Sequence, residues 1–245
     1  MRKIKGVVHL HSNWSYDGKW ELKKLVKIFS IFNVNFLLMA EHDRNFTQQK
    51  LSEYRLACKE ASTSKCIVIP GIEYSNYDNS MHILTWGNLP FFGEGVDTLT
   101  LVKNVESYSG VSVLAHPTEN ELYKKNYENI LPYISGVEIW NRKSNGFCIN
   151  DKAVELWSSK KNLVPLVTLD FHNKKQFFPL CIKINEAQNL SEPLIVHALK
   201  QGLTSSHAFG FPVKNFFGGN TYLVFKFFEN IRKKFVKIFK KPMFK

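Results

Sequence analysis

Hydrophobic positions recur along this chain with two alternating periods. Short apolar or β-branched runs predict strands over Ile4 to Leu10, Phe36 to Ala40, Val111 to Ala115, Gly136 to Trp140 and Leu163 to Asp170. A further run, Cys66 to Ser75, predicts a strand that forms a hairpin with Met81 to Gly87. Between the strands, apolar residues three and four apart predict helices over Glu21 to Phe32, near Gln48 to Ala61, near Thr98 to Tyr108, around Tyr123 to Ile134 and near Ile149 to Lys160. In the first of these Leu22, Leu25, Val26 and Phe29 share one face. Repeated strand-helix units imply an α/β fold built on a mainly parallel sheet or barrel, whose chemistry sits at the carboxyl ends of the strands.

That rule can be checked against the residues with acid-base or metal-binding side chains. His9 and His11 end the first strand, Glu41-His42-Asp43 the second and Glu73 the third, with His82 on its hairpin partner. His116 follows Val111 to Ala115, Glu138 lies in Gly136 to Trp140, and Asp170 and His172 end the last strand. Six of the eight histidines fall at such positions, which predicts a metal site. In "HLHSNWSYDG", residues i and i+2 of a strand point the same way, so His9 and His11 are expected side by side, with Val8 and Leu10 facing the other way. His197 and His207 stand apart from this pattern and are expected to play core or surface roles.

At 245 residues, 44% hydrophobic and 22% charged, the chain suits a globular body with a sizeable core. It contains no apolar stretch long enough for a spanning helix. The first strand starts at once, leaving no room for a signal peptide, so a cytoplasmic location is expected. Cys58, Cys66, Cys148 and Cys181 lie far apart without a C-x-x-C pair, so neither a zinc ribbon nor a disulfide scaffold is suggested, and the cysteines are expected to be reduced.

The net charge of +12 is concentrated at the carboxyl end, where Lys226 to Lys245 holds eight Lys or Arg against one Glu. The paired Gly218 and Gly219 read as a hinge, dividing a body of residues 1–217 from a tail of residues 218–245. On a helical wheel Val224, Phe228, Ile231, Phe235, Ile238 and Phe239 share a face, while Lys226, Lys233, Lys234, Lys237, Lys240 and Lys241 take the other, and Pro242 ends the helix. Residues 221–241 therefore suit an anionic membrane surface, which would place the protein peripherally on the inner membrane face. A helix docked on the body and a nucleic-acid arm are the alternatives.

Seven stretches together, "HLHSNWSYDG", "AEHD", "GIEYS", "MHIL", "AHP", "GVEIWN" and "LDFH", resemble the polymerase-and-histidinol-phosphatase (PHP) family of metal-dependent phosphoesterases over roughly residues 4 to 173. The resemblance implies a distorted seven-stranded (β/α) barrel of PHP type, followed here by the basic amphipathic helix. It implies two to three divalent metal ions, with His9, His11, Glu73 and Asp170 holding one. Glu73 would bridge to a second held by His82 and His116, and Asp17, His42 and His172 would hold a third. Glu73, Asp170 and His116 would carry catalysis. Mixed imidazole and carboxylate ligands suit Zn²⁺, Mn²⁺ or Fe²⁺.

The chain departs from the family at Glu41, where aspartate is common, and at Phe171, where small residues are common. Arg44, Arg142 and Lys143 follow two of the motifs and are candidates to bind a phosphate, and Trp14 could stack on a base or sugar. The expected reaction is hydrolysis of a phosphate ester by a metal-bridging hydroxide at a trinuclear site. The expected substrate is a small phosphorylated metabolite, a nucleotide or a sugar. An exonuclease on short oligonucleotides, hydrolysis of a C–N bond, and a non-catalytic membrane- or nucleic-acid-binding module are the alternatives.

Overall fold

A computed structural model describes residues 3–117, 127–160, 162–185 and 190–240, the side chains of 237–240 excepted. Its strands form two six-stranded sheets. The first holds β1 (Lys3–Leu10), β2 (Phe36–Met39), β4 (Ile67–Ile69), β10 (Leu180–Asn185), β11 (Thr204–Ala208) and β12 (Phe211–Pro212), in the order β12-β11-β10-β1-β2-β4. The second holds β3 (Glu41–His42), β5 (Gly71–Ser75), β6 (His82–Trp86), β7 (Val111–Leu114), β8 (Gly136–Asn141) and β9 (Val164–Thr168), in the order β3-β5-β6-β7-β8-β9.

Two expectations are corrected here. Among the described residues the strands do not close into one seven-stranded barrel, and the pairing is not mainly parallel: five strand pairs are parallel and five antiparallel. The ladder breaks at Pro70, which lacks the N–H that pairing needs and divides Cys66 to Ser75 into β4 and β5. It breaks again at Ala40, between β2 and β3, where the Ala40 amide turns to the Leu10 carbonyl (2.8 Å). Across the far seam the segment just after β9 meets β1 through a single bridge, Leu10 to Phe171, flanked by hydrogen bonds from Leu169 N to Val8 O (3.1 Å) and Phe171 N to His9 O (3.0 Å).

Between the sheets lies an apolar interior that includes Val8, Phe36, Leu38, Ile69, Leu84, Trp86, Val113 and Leu166. Trp86 donates its indole N–H to the Met39 carbonyl (2.7 Å), a buried tie from one sheet to the other. Outside the sheets, α1 (Leu22–Ile31), α2 (Gln48–Ala61) and α3 (Thr98–Ser107) bury Leu25, Leu51, Tyr54 and Val102 against Val7, Leu37 and Ile83. Capping starts two of these helices: Thr47 accepts from the Lys50 amide and Asp97 from the Thr100 amide. Gly6 is required because any Cβ there would overlap the Phe36 ring on the paired strand.

Two short helices, α4 (Arg142–Asn145) and α5 (Asp151–Ser159), follow β8. The expected helix around Tyr123 to Ile134 has its first residues outside the described ones, and its remainder forms two 3₁₀ turns, Tyr127–Asn129 and Leu131–Tyr133. Helix α6 (Glu192–Lys200) packs Ile195, Ala198 and Leu199 into the interior cluster.

The last helix, α7, spans Gly219–Lys240. Phe225 packs against Phe209 (5.3 Å), Phe216 (5.4 Å) and Trp140 (6.2 Å), while Glu229, 3% exposed, accepts from the Phe147 amide (3.0 Å) and pairs with Arg232. The face expected to be its apolar side does not make these contacts. Val224, Phe228 and Phe235 are exposed. Lys237, Ile238, Phe239, Lys240, Lys241 and Pro242 of the expected pattern lie outside the described side chains. Among the described residues no helix is long and apolar enough to cross a membrane.

Candidate metal centre

A bulge in β1 begins the site. The register with β2 slips between Val8 and Leu10, and His9 takes a left-handed backbone at φ 64°. Simple alternation would put Val8 and Leu10 on one face, yet Val8 joins the interior cluster and Leu10 the helix-side cluster. His9 and His11 still end side by side, ring centroids 5.0 Å apart, because the bulge turns His9 and the strand stops before His11.

Two more residues of the site share that uncommon backbone, His116 at φ 26° after β7 and Asp170 at φ 49° after β9. Each aims a side chain at the same point. Non-glycine residues held this way cost on the order of 1–3 kcal/mol each and gather at functional sites.

Glu73 on β5 stands at the middle, 1% exposed. One oxygen, Oε2, lies 3.3 Å from His9 Nε2, 3.3 Å from His11 Nε2 and 3.2 Å from His42 Nδ1. The other, Oε1, lies 2.8 Å from His82 Nδ1 and 3.0 Å from His116 Nε2. Asp170 Oδ1 is 3.6 Å from His11 Nε2 and 3.8 Å from His9 Nε2. At the rim Asp17 spans His172 (2.9 Å) and His42 (3.3 Å).

Three groups have donor atoms close enough to share an ion: His9, His11 and Asp170; His9, Glu73 and His116; and His11, Asp17, His42 and His172. These hold eight of the nine residues expected as ligands. His82 joins through Glu73 and lies edge-on to His116, with its other nitrogen 3.1 Å from Asn79 Oδ1.

The fit to cations rests on atoms that lie against oppositely charged neighbours without a hydrogen bond. His9 Nε2, His11 Nε2, His42 Nε2, Asp17 Oδ1 and Glu73 Oε2 are all buried and lack a hydrogen bond. A buried polar atom left unpaired costs roughly 1–3 kcal/mol. Three of these atoms meet around Glu73 and two between His42 and Asp17, donor sets suited to divalent metals.

The electrostatics agree. Burial pushes the carboxyls of Glu73 and Asp170 up, but the surrounding imidazoles override it and hold Glu73 well below, and Asp170 below, the usual carboxylate range. Burial drives His11 down to about 3, so its imidazole is neutral and its lone pair free. Burial also acts to lower His42, yet Asp17 and Glu73 raise it to about 9.

Sequence reasoning named Glu138 at a strand end without giving it a task, and read Glu41 as a departure from the family that bears on the support of His42. Glu138 is fully buried; its Oε1 meets His9 Nδ1 (2.7 Å), and its Oε2 accepts from the His116 amide (2.6 Å) and the Asn141 side chain (2.8 Å). It thereby orients one ligand and fixes the backbone of another. Glu41 accepts from the Ser12 amide and hydroxyl and from the Ser15 hydroxyl, and Ser15 Oγ in turn meets His11 Nδ1 (3.2 Å) and the His42 amide (3.0 Å). Glu138→Gln is expected to weaken metal affinity by about 10- to 100-fold, measured by competition with a chromophoric chelator. Unchanged affinity would leave Glu138 a packing residue only.

The four expected substrate residues divide. Lys143 Nζ lies 3.2 Å from Asp170 Oδ1 and 3.3 Å from His172 Nε2, at the mouth. The Arg44 guanidinium lies 5.6 Å from the centre of the Tyr16 ring, which itself stacks on His42 at 4.9 Å. Trp14 packs instead toward the core against Tyr54 (5.4 Å). Arg142 is carried away from the cluster, its guanidinium packed against Phe147 (4.6 Å) and Phe178 (4.7 Å). His197 is exposed on α6, and His207 pairs with Ser205 (3.1 Å), both away from the cluster.

No protein-family model and no curated protein matches the sequence. Solved structures do match the fold. A two-domain protein from Bacteroides vulgatus containing a predicted PHP-like metal-dependent phosphoesterase aligns at TM-score 0.62 and 17% identity, over 84% of this chain and 65% of that one. PsfC from Pseudomonas syringae aligns at 0.60 and 12% identity over 96% of this chain and all of that one. The lesion-specific endonuclease PfuEndoQ from Pyrococcus furiosus aligns at 0.59 and 13% identity over 81% of this chain and 56% of that one. The chain thus spans about two thirds of the first of these proteins and little over half of the third. It shares the fold of the PHP-like metal-dependent phosphoesterases.

Proposed function

We propose that the protein is a metal-dependent hydrolase of phosphate esters. The observation that carries this reading is that five buried donor atoms without hydrogen-bond partners lie in two adjoining sets, His9 Nε2, His11 Nε2 and Glu73 Oε2 in one and His42 Nε2 and Asp17 Oδ1 in the other. Two to three divalent ions of the Zn²⁺, Mn²⁺ or Fe²⁺ kind, held by His9, His11, Asp17, His42, Glu73, His82, His116, Asp170 and His172, would supply an activated water and neutralise phosphoryl charge.

The chain's own groups do the rest. Glu73 joins the histidines from β1, β3, β6 and the end of β7 through its two oxygens, so it sets the spacing of the whole centre. Lys143 brings a positive charge to the rim beside Asp170, where it can hold a phosphoryl oxygen. Arg44, backed by the Tyr16 ring, offers a second cationic hold on the His42 side. A cleft of about 620 Å³ there, lined by Tyr16, Arg44, Asn76, Tyr77 and Glu94, has room for the remainder of a small phosphorylated metabolite, nucleotide or sugar.

A nucleic-acid strand is the second reading. It is favoured by the exposed rings of Tyr16 (65%) and Tyr77 (97%) at that cleft, which suit stacked bases. Endonuclease Q, of similar fold, has been solved with a 27-mer duplex carrying an abasic lesion at its active site.

The test compares p-nitrophenyl phosphate, bis(p-nitrophenyl) phosphate, a short oligonucleotide and an amide, each with added metal and with chelator. Turnover of a phosphate ester that appears with metal and vanishes with chelator is the expected result. Steep loss of oligonucleotide cleavage with salt would mark the second reading. Hydrolysis of the amide alone, or of nothing with metal bound, overturns the proposal.

A further inference from the structure

The C-terminal helix carries two apolar faces, and only one is used. Phe225 and Tyr222 belong to the side packed on the body, where Glu229 holds the Phe147 amide and Tyr222 reaches Asp151. The opposite side leaves Leu223 60%, Val224 50%, Phe227 62%, Phe228 55% and Phe235 57% exposed. At 100° per residue these five fall within one arc centred away from Phe225 and Glu229. Five large apolar side chains on a single helix face exceed the scattered exposure normal for a soluble surface. The helix cannot roll to hide them, because doing so would tear the buried Glu229 carboxylate from the Phe147 amide.

We infer that this outward face lies on an anionic lipid surface, with the helix in the plane of the interface. Charge selects that occupant. Residues 226–245 hold eight Lys or Arg, while their one acid, Glu229, is turned inward and paired with Arg232. Lys234 is exposed within the apolar arc, while Lys226 and Lys233 are exposed toward the body side, Lys226 3.6 Å from Asp151. A second copy docking through the same face would set these like charges against one another. Hydrocarbon faced by phenylalanines and flanked by anionic headgroups satisfies both features at once. The inference is independent of the catalytic reading.

Flotation of the full chain on phosphatidylcholine vesicles, with and without phosphatidylglycerol, tests it. The protein is expected to float with the anionic vesicles, to stay behind with the neutral ones, and to lose binding as salt rises. Phe227→Glu/Phe228→Glu, both at solvent positions, should lower partitioning at least about tenfold while the melting temperature stays unchanged. Lys233→Glu/Lys234→Glu should do the same. Failure of the native chain to float, equal flotation on neutral vesicles, or undiminished binding by the phenylalanine variant overturns the inference. So does sedimentation showing that the face closes a dimer, or retention on DNA without retention on vesicles.

Discussion

Replacing Glu73 by alanine is expected to lower phosphate-ester turnover by at least about 10³-fold, roughly 4 kcal/mol of barrier. No other side chain touches so many of the candidate ligands: its two oxygens lie within 3.3 Å of nitrogens on His9, His11, His42, His82 and His116. Losing it removes the central negative charge and leaves the imidazoles with only the peripheral acids Asp17, Glu138 and Asp170 beside them. Metal content measured by elemental analysis should fall together with rate. Activity within tenfold of the native protein would show that the five histidines do not depend on a bridging carboxylate. The melting temperature, recorded on the same sample, separates loss of the ions from loss of the fold.

Saturating divalent metal is expected to raise the melting midpoint by about 10 °C over the chelated protein. A ligand at about 1,000 times its dissociation constant adds roughly 4 kcal/mol to stability. A domain of this size gains about 2–4 °C per kcal/mol. The native contacts supply the reason. Without cations the five unpaired donor atoms remain buried and unsatisfied, and the left-handed backbones of His9, His116 and Asp170 are held against their preference. Differential scanning calorimetry with Zn²⁺, Mn²⁺ and Fe²⁺ in turn should also rank the three ions. An unmoved midpoint with all of them would mean that the cluster does not bind these metals.

Much of this site was legible because metal-binding residues are rare and the strand-end rule is strict. The pairs His9 with His11 and Asp170 with His172, and the isolated Glu73 and His116, could all be placed from short apolar runs alone. The bulge at His9 could not, since a one-residue slip changes backbone register without changing composition. Glu138 was visible at a strand end, but its work depends on Asn141 and the His116 amide, contacts made only when separate segments fold together. Parallel pairing was overestimated because the predicted strand series omits β10 (Leu-Cys-Ile-Lys-Ile-Asn), apolar though it is, and because β11 (Thr-Ser-Ser-His-Ala) lacks the apolar signature of a strand. Adjacency to a motif misled for Arg142. Its neighbour Lys143 does reach Asp170, but on a short helix consecutive residues point in different directions, and Arg142 faces the phenylalanines instead. The helical wheel found the apolar stripe of the tail, yet amphipathicity alone does not say which stripe a body will choose.

Gly146 shows how little separates the tail from the rim of the candidate metal centre. It sits at φ 70°, one residue beyond α4, and a Cβ there would collide with the Glu229 carboxylate. The Trp140 indole donates to its carbonyl (3.2 Å), and the neighbouring Asn145 side chain accepts from the Asn141 amide (2.8 Å). A single methyl group at 146 would act as a wedge, prising the last helix from its seat while twisting the turn that carries Lys143. The smallest residue in the chain thus works as a keystone between the two ends of the molecule's architecture.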